Sequence, residues 1–185
     1  VGPAERLGRW CGPRCWCGAG VGGATAQAAE LVRGGMAAVS GTSGRAVVAE
    51  DRAASLGAVS MPPEARARYD QADVVVVVGS RLRGNETRNN EMRLGKTLVQ
   101  IDADASQGAR NYPVDLFIHG DAADVLDGLL ARLPGRLDTD PTLVPDVAAA
   151  RAAGEATLRD TLGPYGVVAD TLRDVVFGRE LAFVR

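Results

Sequence analysis

The apolar positions of this chain form short runs that are separated by glycine-rich and charged stretches. Asp73 is followed by five consecutive valines at 74–78 and then by Gly79. A continuous β-branched run of this length is typical of a strand that is covered on both faces, as in a parallel sheet. The pattern therefore predicts a buried central strand at 74–78.

Other segments of the chain alternate between strand-like and helix-like patterns. Short strands are predicted at 15–17, 97–101 and 115–118, and a short apolar run lies at 36–40. The pattern of 46–60 predicts a loop with one short helix. Helices are predicted at 24–33, 64–72 and 121–133, and the last has an apolar stripe of Val125, Leu126, Leu129, Leu130 and Leu133. Strands that alternate with helices indicate right-handed βαβ units and an α/β layered sheet.

The chain divides into four predicted segments. Residues 1–14 form an irregular N-terminal segment, and 15–133 form the α/β domain. Residues 134–145 contain three prolines and predict a linker. Residues 146–185 predict helices at 147–162 and 165–176, followed by an apolar strand that begins at 181–185. We interpret this last segment as the truncated start of a second domain.

The charge of the chain excludes several classes of partner. Twenty-one Lys and Arg against 23 Asp and Glu give a net charge of −2, which offers no general attraction for nucleic acid or an anionic membrane. No apolar run approaches the roughly 20 residues that span a bilayer, and the chain opens with no leader pattern. We therefore expect a cytoplasmic protein that binds neither nucleic acid nor membrane.

The cysteines do not predict a metal or disulfide framework. Cys11, Cys15 and Cys17 are an odd number within seven positions, whereas disulfide frameworks spread even numbers of cysteines along a chain. A zinc site would need a fourth ligand, and His119 is the single histidine. We expect ordinary thiols, a packed or solvent-facing histidine, and no metal site.

A glycine loop stands before the first predicted helix. Gly18, Gly20 and Gly23 have GxGxxG spacing, which lets a backbone approach phosphate oxygens at a helix N-terminus. The NAD form of this motif also needs an acidic residue about 20 positions later, but no acid occurs there before Glu50. A nucleotide contact and a tight turn where helix packs on sheet both remain open.

A series of segments resembles a known family. In order, these are GAGVGG at 18–23, SLG at 55–57, ADVVVVVGSR at 72–81, LVQIDAD at 98–104 and NYPVDLFIHGDA at 111–122. Over 15–133 the series resembles the central domain of thiamine diphosphate-dependent enzymes, which include acetolactate synthases, benzoylformate decarboxylases and oxalyl-CoA decarboxylases. Residues 163–185 are similar to the opening of that family's C-terminal domain. The resemblance implies a Rossmann-like parallel sheet with helices on both faces.

The resemblance also implies what a parent enzyme would do. It would cleave or form a carbon–carbon bond beside a carbonyl, on 2-oxo acids or related compounds, with thiamine diphosphate and Mg²⁺. The family's catalytic glutamate lies in the N-terminal domain. Its GDG motif and paired asparagines lie in the C-terminal domain, whereas Gly120-Asp121 here is followed by Ala122. We expect no catalytic residue in this chain and no activity in isolation. The implied partners are the missing N- and C-terminal domains and further copies of the parent.

Within the family the central domain binds FAD, binds ADP or is empty. The positions here that would face such a nucleotide are Gly18, Ala19, Gly20, Arg81, Asp102 and Asp104. Flavin-binding members carry GxRFDDR where this chain has GSRLRGN at 79–85, and Met-His-Gly at the position of 61–63. Both departures argue against FAD. Asp121 is expected to cap the helix that follows it rather than to bind a ligand.

Two other interpretations remain. One is a stand-alone module of similar layered fold that binds NAD or FAD. The other is an inactive gene fragment, which the unusual start and abrupt end of the chain favour.

Overall fold

The computed structural model describes residues 12–58, 62–133, 137, 139 and 141–176. Its strands are β1 (Arg14–Cys17), β2 (Ala37–Ser40), β3 (Val74–Val78), β4 (Thr97–Asp102) and β5 (Leu116–His119). Its α-helices are α1 (Thr25–Arg33), α2 (Pro63–Asp70), α3 (Ala122–Leu130), α4 (Leu143–Leu162) and α5 (Gly166–Val176). Short 3₁₀ helices occupy Ala19–Ala24, Ala105–Gln107 and Gly163–Tyr165.

The five strands form one parallel sheet in the order β2-β1-β3-β4-β5. The valine strand β3 lies at its centre, and all five of its residues are buried. The direction in which strands are added to the sheet reverses between β1 and β3. The chain places β2 on one side of β1, and then places β3, β4 and β5 on the other side of β1. In open α/β sheets ligands bind at such a reversal, outside the carboxyl ends of the strands.

Helices cover both faces of the sheet. On one face, α1 and α3 pack through residues such as Leu31 and Leu126 onto Cys15, Val76 and Ile101. On the other face, α2 and α4 cover a second core, whose members include Trp16, Tyr69, Val75, Val77, Leu143 and Val147. The rings of Trp16 and Tyr69 lie 5.3 Å apart. The predicted α/β fold, a Rossmann-like parallel sheet with helices on both faces, is confirmed.

Residues 46–58 differ from the sequence prediction, because they contain turns and no helix. Their backbone instead pairs along the outer edge of β2: Ala38 N–H donates to Ala54, Leu56 N–H donates to Ala38, and Ser40 N–H donates to Gly57, at 2.8 to 2.9 Å. These bonds satisfy the open edge of the sheet, which a helical turn could not do. Residues 59–60, the end of this prediction, lie outside the described residues.

The chain beyond 133 returns to the sheet. Leu137, inside the predicted linker, is buried in the first core, and its N–H donates to Gly34 O at 2.7 Å. Helix α4 begins at Leu143 and packs against α2, so the predicted boundary at 146 falls within this helix. The predicted irregular segment 1–14 ends in β1, which begins at Arg14. Most of that segment and the predicted strand at 181–185 lie outside the described residues.

No helix in the described part of the chain has both the length and the apolar character needed to cross a membrane.

Candidate functional site

A cavity of about 350 Å³ opens at the carboxyl edge of the sheet, where β1, β3, β4 and β5 end. It lies at the reversal of strand order, the usual position of a ligand in this type of fold. Its size is at the lower end of the range found for small-molecule pockets. The residues that line it are Gly18, Ala19, Gly20, Ser43, Gly79, Ser80, Arg81, Arg83, Asn85, Glu86, Ile101, Asp102, Ala103, Gly120, Asp121 and Ala122.

The glycine loop forms one wall of the cavity, and its first two glycines are required by packing. A Cβ at Gly18 would lie 2.3 Å from Gly79 O, and a Cβ at Gly20 would lie 2.8 Å from Gly79 Cα. Gly18 N–H donates to Val78 O and Gly20 N–H to Gly79 O, so neither amide is free for a phosphate. The space around Gly23 is open. The tight-turn interpretation therefore holds for Gly18 and Gly20, although both also line the cavity.

Two arginines supply positive charge to the cavity. Arg81 and Arg83 follow the end of β3 and are both exposed. The Nδ2 of Asn111 donates to Arg81 O at 2.6 Å, which ties this loop to the segment before β5. A guanidinium is planar and binds phosphate oxygens in pairs. The two side chains can therefore neutralise a phosphate group that lies over the glycine loop.

Glu86 brings a carboxylate to the end of β2. Its Oε1 accepts a hydrogen bond from the backbone N–H of Thr42 at 2.7 Å. A Cβ at Gly41 would lie 2.8 Å from the same oxygen, so a larger residue there would require the Glu86 side chain to shift. Glu86 thus joins the loop after β3 to the loop after β2, and both loops line the cavity.

The two predicted aspartates at the end of β4 and just after it have different positions. Asp102 lines the cavity, and its Oδ1 accepts from Asp104 N at 2.9 Å. Asp104 is not among the lining residues, and its carboxylate accepts hydrogen bonds from the N–H and hydroxyl of Ser106 and from Gln107 Nε2. The Ser106 hydroxyl and the other donors, with Arg81 nearby, lower the pKa of Asp104 from 3.8 to about 2. Asp104 caps a short helix and stays ionised.

A buried glutamine supports the floor of this region. Gln100, on β4, is 3% exposed, and its Nε2 donates to Ser80 O at 3.3 Å and Gln107 O at 3.2 Å. Its Oε1 accepts from Ala109 N at 3.1 Å. One side chain therefore connects the loop after β3 with the segment after β4, and all its described bonds are to backbone groups.

Asp121 has the capping position that the sequence predicts. Its Oδ1 accepts from Ala123 N at 2.8 Å and from Asp124 N at 3.4 Å, at the start of α3. The carboxylate also borders the cavity. His119, at the end of β5, is exposed and contacts Ala103 O at 3.0 Å, in agreement with the prediction of a solvent-facing histidine.

The two described cysteines are free thiols in the core. Cys15 and Cys17 are fully buried, and their Sγ atoms lie 3.4 Å apart. The contact with Cys17, together with burial, raises the pKa of the Cys15 thiol. Both residues pack as small apolar side chains. Cys11 lies outside the described residues.

The structure thus brings Gly18, Ala19, Gly20, Arg81 and Asp102 to one cavity, and places Asp104 outside its lining. Sequence reasoning missed Ser43, Arg83, Asn85 and Glu86. Arg83 and Asn85 stand in the loop that follows the valine strand, and this position alone was a usable signal. Glu86 stands in the same loop, but its contact with Thr42, which lies 44 residues earlier in the chain, could not be predicted from the sequence.

Comparison with known families identifies one match. Residues 7–129 match the sequence model of a family described as "Thiamine pyrophosphate enzyme, central domain". This range covers both halves of the sheet and every predicted site residue. No match was found among curated protein sequences.

Solved structures share the fold. One is the X-ray structure of a chain described as a thiamin diphosphate-dependent enzyme from Mycobacterium smegmatis, with a TM-score of 0.59 and 24% sequence identity. The match covers 75% of the present chain and 28% of the other chain. The chain is thus similar to a little over a quarter of that protein's length.

Proposed function

Because this chain belongs to the family of thiamine pyrophosphate enzyme central domains, we propose that it is the structural and nucleotide-binding unit of a thiamine diphosphate-dependent enzyme. The parent acts on 2-oxo acids or related carbonyl compounds, in the manner of acetolactate synthases. The family match favours this function over a stand-alone NAD- or FAD-binding module. In this proposal the N- and C-terminal domains of a cytoplasmic homo-oligomer hold the catalytic groups, thiamine diphosphate and Mg²⁺.

The residues described here do not fit thiamine diphosphate. Gly120-Asp121-Ala122 departs from the family's GDG motif, and the Asp121 carboxylate is committed to the first turn of α3. Mg²⁺ requires carboxylate and amide oxygens that are free to coordinate it. No reaction step is therefore assigned to this chain. We expect that the purified 185-residue chain, given pyruvate, thiamine diphosphate and Mg²⁺, shows no turnover; measurable turnover would contradict this assignment.

We propose that the same cavity binds an adenine nucleotide. The observation that carries this part of the proposal is the position of Arg81 and Arg83 beside the glycine loop, at the reversal of strand order. Cationic side chains at this edge are suited to a diphosphate. The departures from the flavin-binding pattern at 79–85 and 61–63 favour ADP over the larger FAD. The nucleotide would serve as a structural or regulatory ligand.

Calorimetric titration with ADP tests the nucleotide site. We expect Arg83→Ala to weaken ADP binding by about tenfold to a hundredfold, since a charged hydrogen bond to phosphate contributes roughly 1.5–3 kcal/mol. Arg33→Ala is the matched control, because Arg33 is an exposed arginine in the last turn of α1. Equal affinities for the wild type and both variants would contradict the assignment of the phosphate contact. Failure of the wild type to bind ADP would contradict the nucleotide site itself.

A further inference from the structure

The end of β2 lacks an acidic residue of its own. The chain continues from Ser40 through Gly41, Thr42 and Ser43. In dinucleotide-binding folds an Asp or Glu at this position accepts hydrogen bonds from the ribose hydroxyls. On sequence alone, its absence argues against a ribose site.

The structure supplies a carboxylate to this position from another loop. Glu86 Oε1 lies 2.7 Å from Thr42 N, directly after β2, although Glu86 follows β3 in the chain. The carboxylate is half-buried and lines the same cavity as Ser43 and the glycine loop. It therefore stands where a ribose-binding acid stands in related layered folds, at the same edge of the sheet.

The loop that carries Glu86 is well anchored. Glu86 N–H donates to Arg83 O at 2.9 Å, and the hydroxyl of the fully buried Thr87 donates to the same oxygen at 3.0 Å. The backbone of Glu86 is thus fixed within its own loop, and its carboxylate is held by the Thr42 N–H. A preorganised acceptor loses less entropy when it binds a ligand than a mobile surface glutamate does.

We propose that Glu86 is the ribose-binding acid of this cavity, and that it selects nucleotides whose ribose hydroxyls are unmodified. This inference rests on the proposed nucleotide site. One carboxylate oxygen accepts the Thr42 N–H, and Oε2 remains to accept a ribose O–H, since an ionised carboxylate has about four acceptor positions. The same negative charge disfavours a 2′-phosphate through like-charge repulsion.

The test is a comparison of nucleotides on the wild-type protein and two variants by calorimetry. The probes are ADP and 2′,3′-dideoxy-ADP, which differ only in the ribose hydroxyls. We expect the wild type to bind ADP about tenfold more tightly than 2′,3′-dideoxy-ADP, because hydrogen bonds to charged groups are stronger than those between neutral groups. The quantity compared below is this ratio of affinities. Glu86→Gln should reduce this ratio to about two, since an amide keeps one acceptor for Thr42 but loses the charge.

Asp102→Asn is the matched variant, because Asp102 also lines the cavity and is the competing candidate for the ribose contact. It should leave the ratio unchanged. A ratio that collapses in Asp102→Asn and survives in Glu86→Gln would overturn the inference. AMP and adenosine 2′,5′-bisphosphate form a second pair of probes. The wild type should bind AMP more tightly than the bisphosphate, and Glu86→Gln should reduce this difference in affinity. Equal affinities of the wild type for these two probes would also overturn the inference.

The outcomes separate this inference from the proposed function. If the wild type binds ADP but Glu86→Gln keeps the full ratio, only the role of Glu86 fails. If the wild type binds no adenine nucleotide, the nucleotide site fails and the inference fails with it. Thermal unfolding of each variant establishes that it is folded before it is titrated.

Discussion

The α-carbon of Gly18 faces the carbonyl of Gly79 so closely that a methyl group there would lie 2.3 Å from the oxygen. The turns that follow β1 and β3 therefore contact each other mainly through the backbone atoms of Gly79 and Ser80. This contact fixes the glycine loop at the rim of the cavity, and the amides of Gly18 and Gly20 donate to the backbone of β3 and its turn rather than to a ligand.

Gly18→Ala should reduce the free energy of unfolding by about 1–3 kcal/mol, because overpacking against backbone cannot be relieved by rotation of a side chain. Gly22→Ala is the control, since a Cβ at Gly22 would meet no atom within 4 Å. Urea denaturation followed by circular dichroism measures both. Equal stability of the two variants would show that the turns can separate without cost.

Gln100→Leu should reduce the free energy of unfolding by about 2 kcal/mol or more, because it leaves the buried N–H of Ala109 without its acceptor. It also removes the donor to Ser80 O and Gln107 O. Gln27→Leu, where the amide makes an exposed contact with Asp127, should change stability by no more than about 0.5 kcal/mol. Chemical denaturation compares the two variants. An unchanged free energy of unfolding in Gln100→Leu would contradict the role of Gln100 in supporting the loops.

Arg151→Met should destabilise the attachment of α4. The Nη1 of Arg151 donates to three backbone carbonyl oxygens in the turns beside β2. It lies 2.5 Å from Glu50 O, 3.1 Å from Arg52 O and 3.2 Å from Ser55 O. Methionine keeps part of the apolar stem but no donor, so we expect a loss of about 1.5–3 kcal/mol.

Arg33→Met is the control for Arg151→Met, since Arg33 forms an exposed ion pair with Glu30. Such pairs contribute about 0–1 kcal/mol. Hydrogen exchange of the amides in 50–57 reports the attachment directly: faster exchange is expected in Arg151→Met only. Unchanged exchange there would contradict the role of Arg151.

Asp104 should titrate with a midpoint of about 2, below its ordinary value of 3.8, because Ser106 and Gln107 donate to its ionised form. A carboxylate with a lowered folded-state pKa stabilises the fold above the unfolded-state value, and this contribution is lost as the pH falls through the folded-state value. The free energy of unfolding should therefore decline as the pH falls from 4 to 2, and the decline should be small because solvent screens the exposed Asp104 carboxylate.

Carbon-13 NMR of the Asp104 side chain follows this titration directly. Ser106→Ala removes the hydroxyl donor and should raise the midpoint, whereas Ser43→Ala, at the opposite side of the cavity, should leave it unchanged. A wild-type midpoint near 4 would contradict the capping role of Asp104.

The sequence predicts the elements whose residues carry their own signal. Five valines in succession can be satisfied only by burial on both faces, and β3 lies at the centre of the sheet. The apolar stripe that includes Leu126 and Leu129 likewise predicts α3, although the helix ends at Leu130, three residues early. A local sequence pattern was sufficient in both cases: a continuous apolar run for β3 and a helical apolar stripe for α3.

The missed features depend on contacts between distant parts of the chain. Residues 54–57 pair with β2 instead of forming a helix, because an unsatisfied sheet edge lies beside them. Glu86 reaches Thr42 only once β1, β2 and β3 are assembled. No pattern in a single sequence indicates such a partner, and so Arg81 and the glycines of the cavity were easier to predict than its glutamate.

The packing of α4 has a practical consequence for the choice of expression boundaries. Leu143, Val147 and Ala150 cover the Trp16 side of the sheet. A recombinant product that stops at residue 133, where the sequence places the end of the domain, would present this apolar face to water and invite aggregation. Cloning that extends through residue 162 retains the cover.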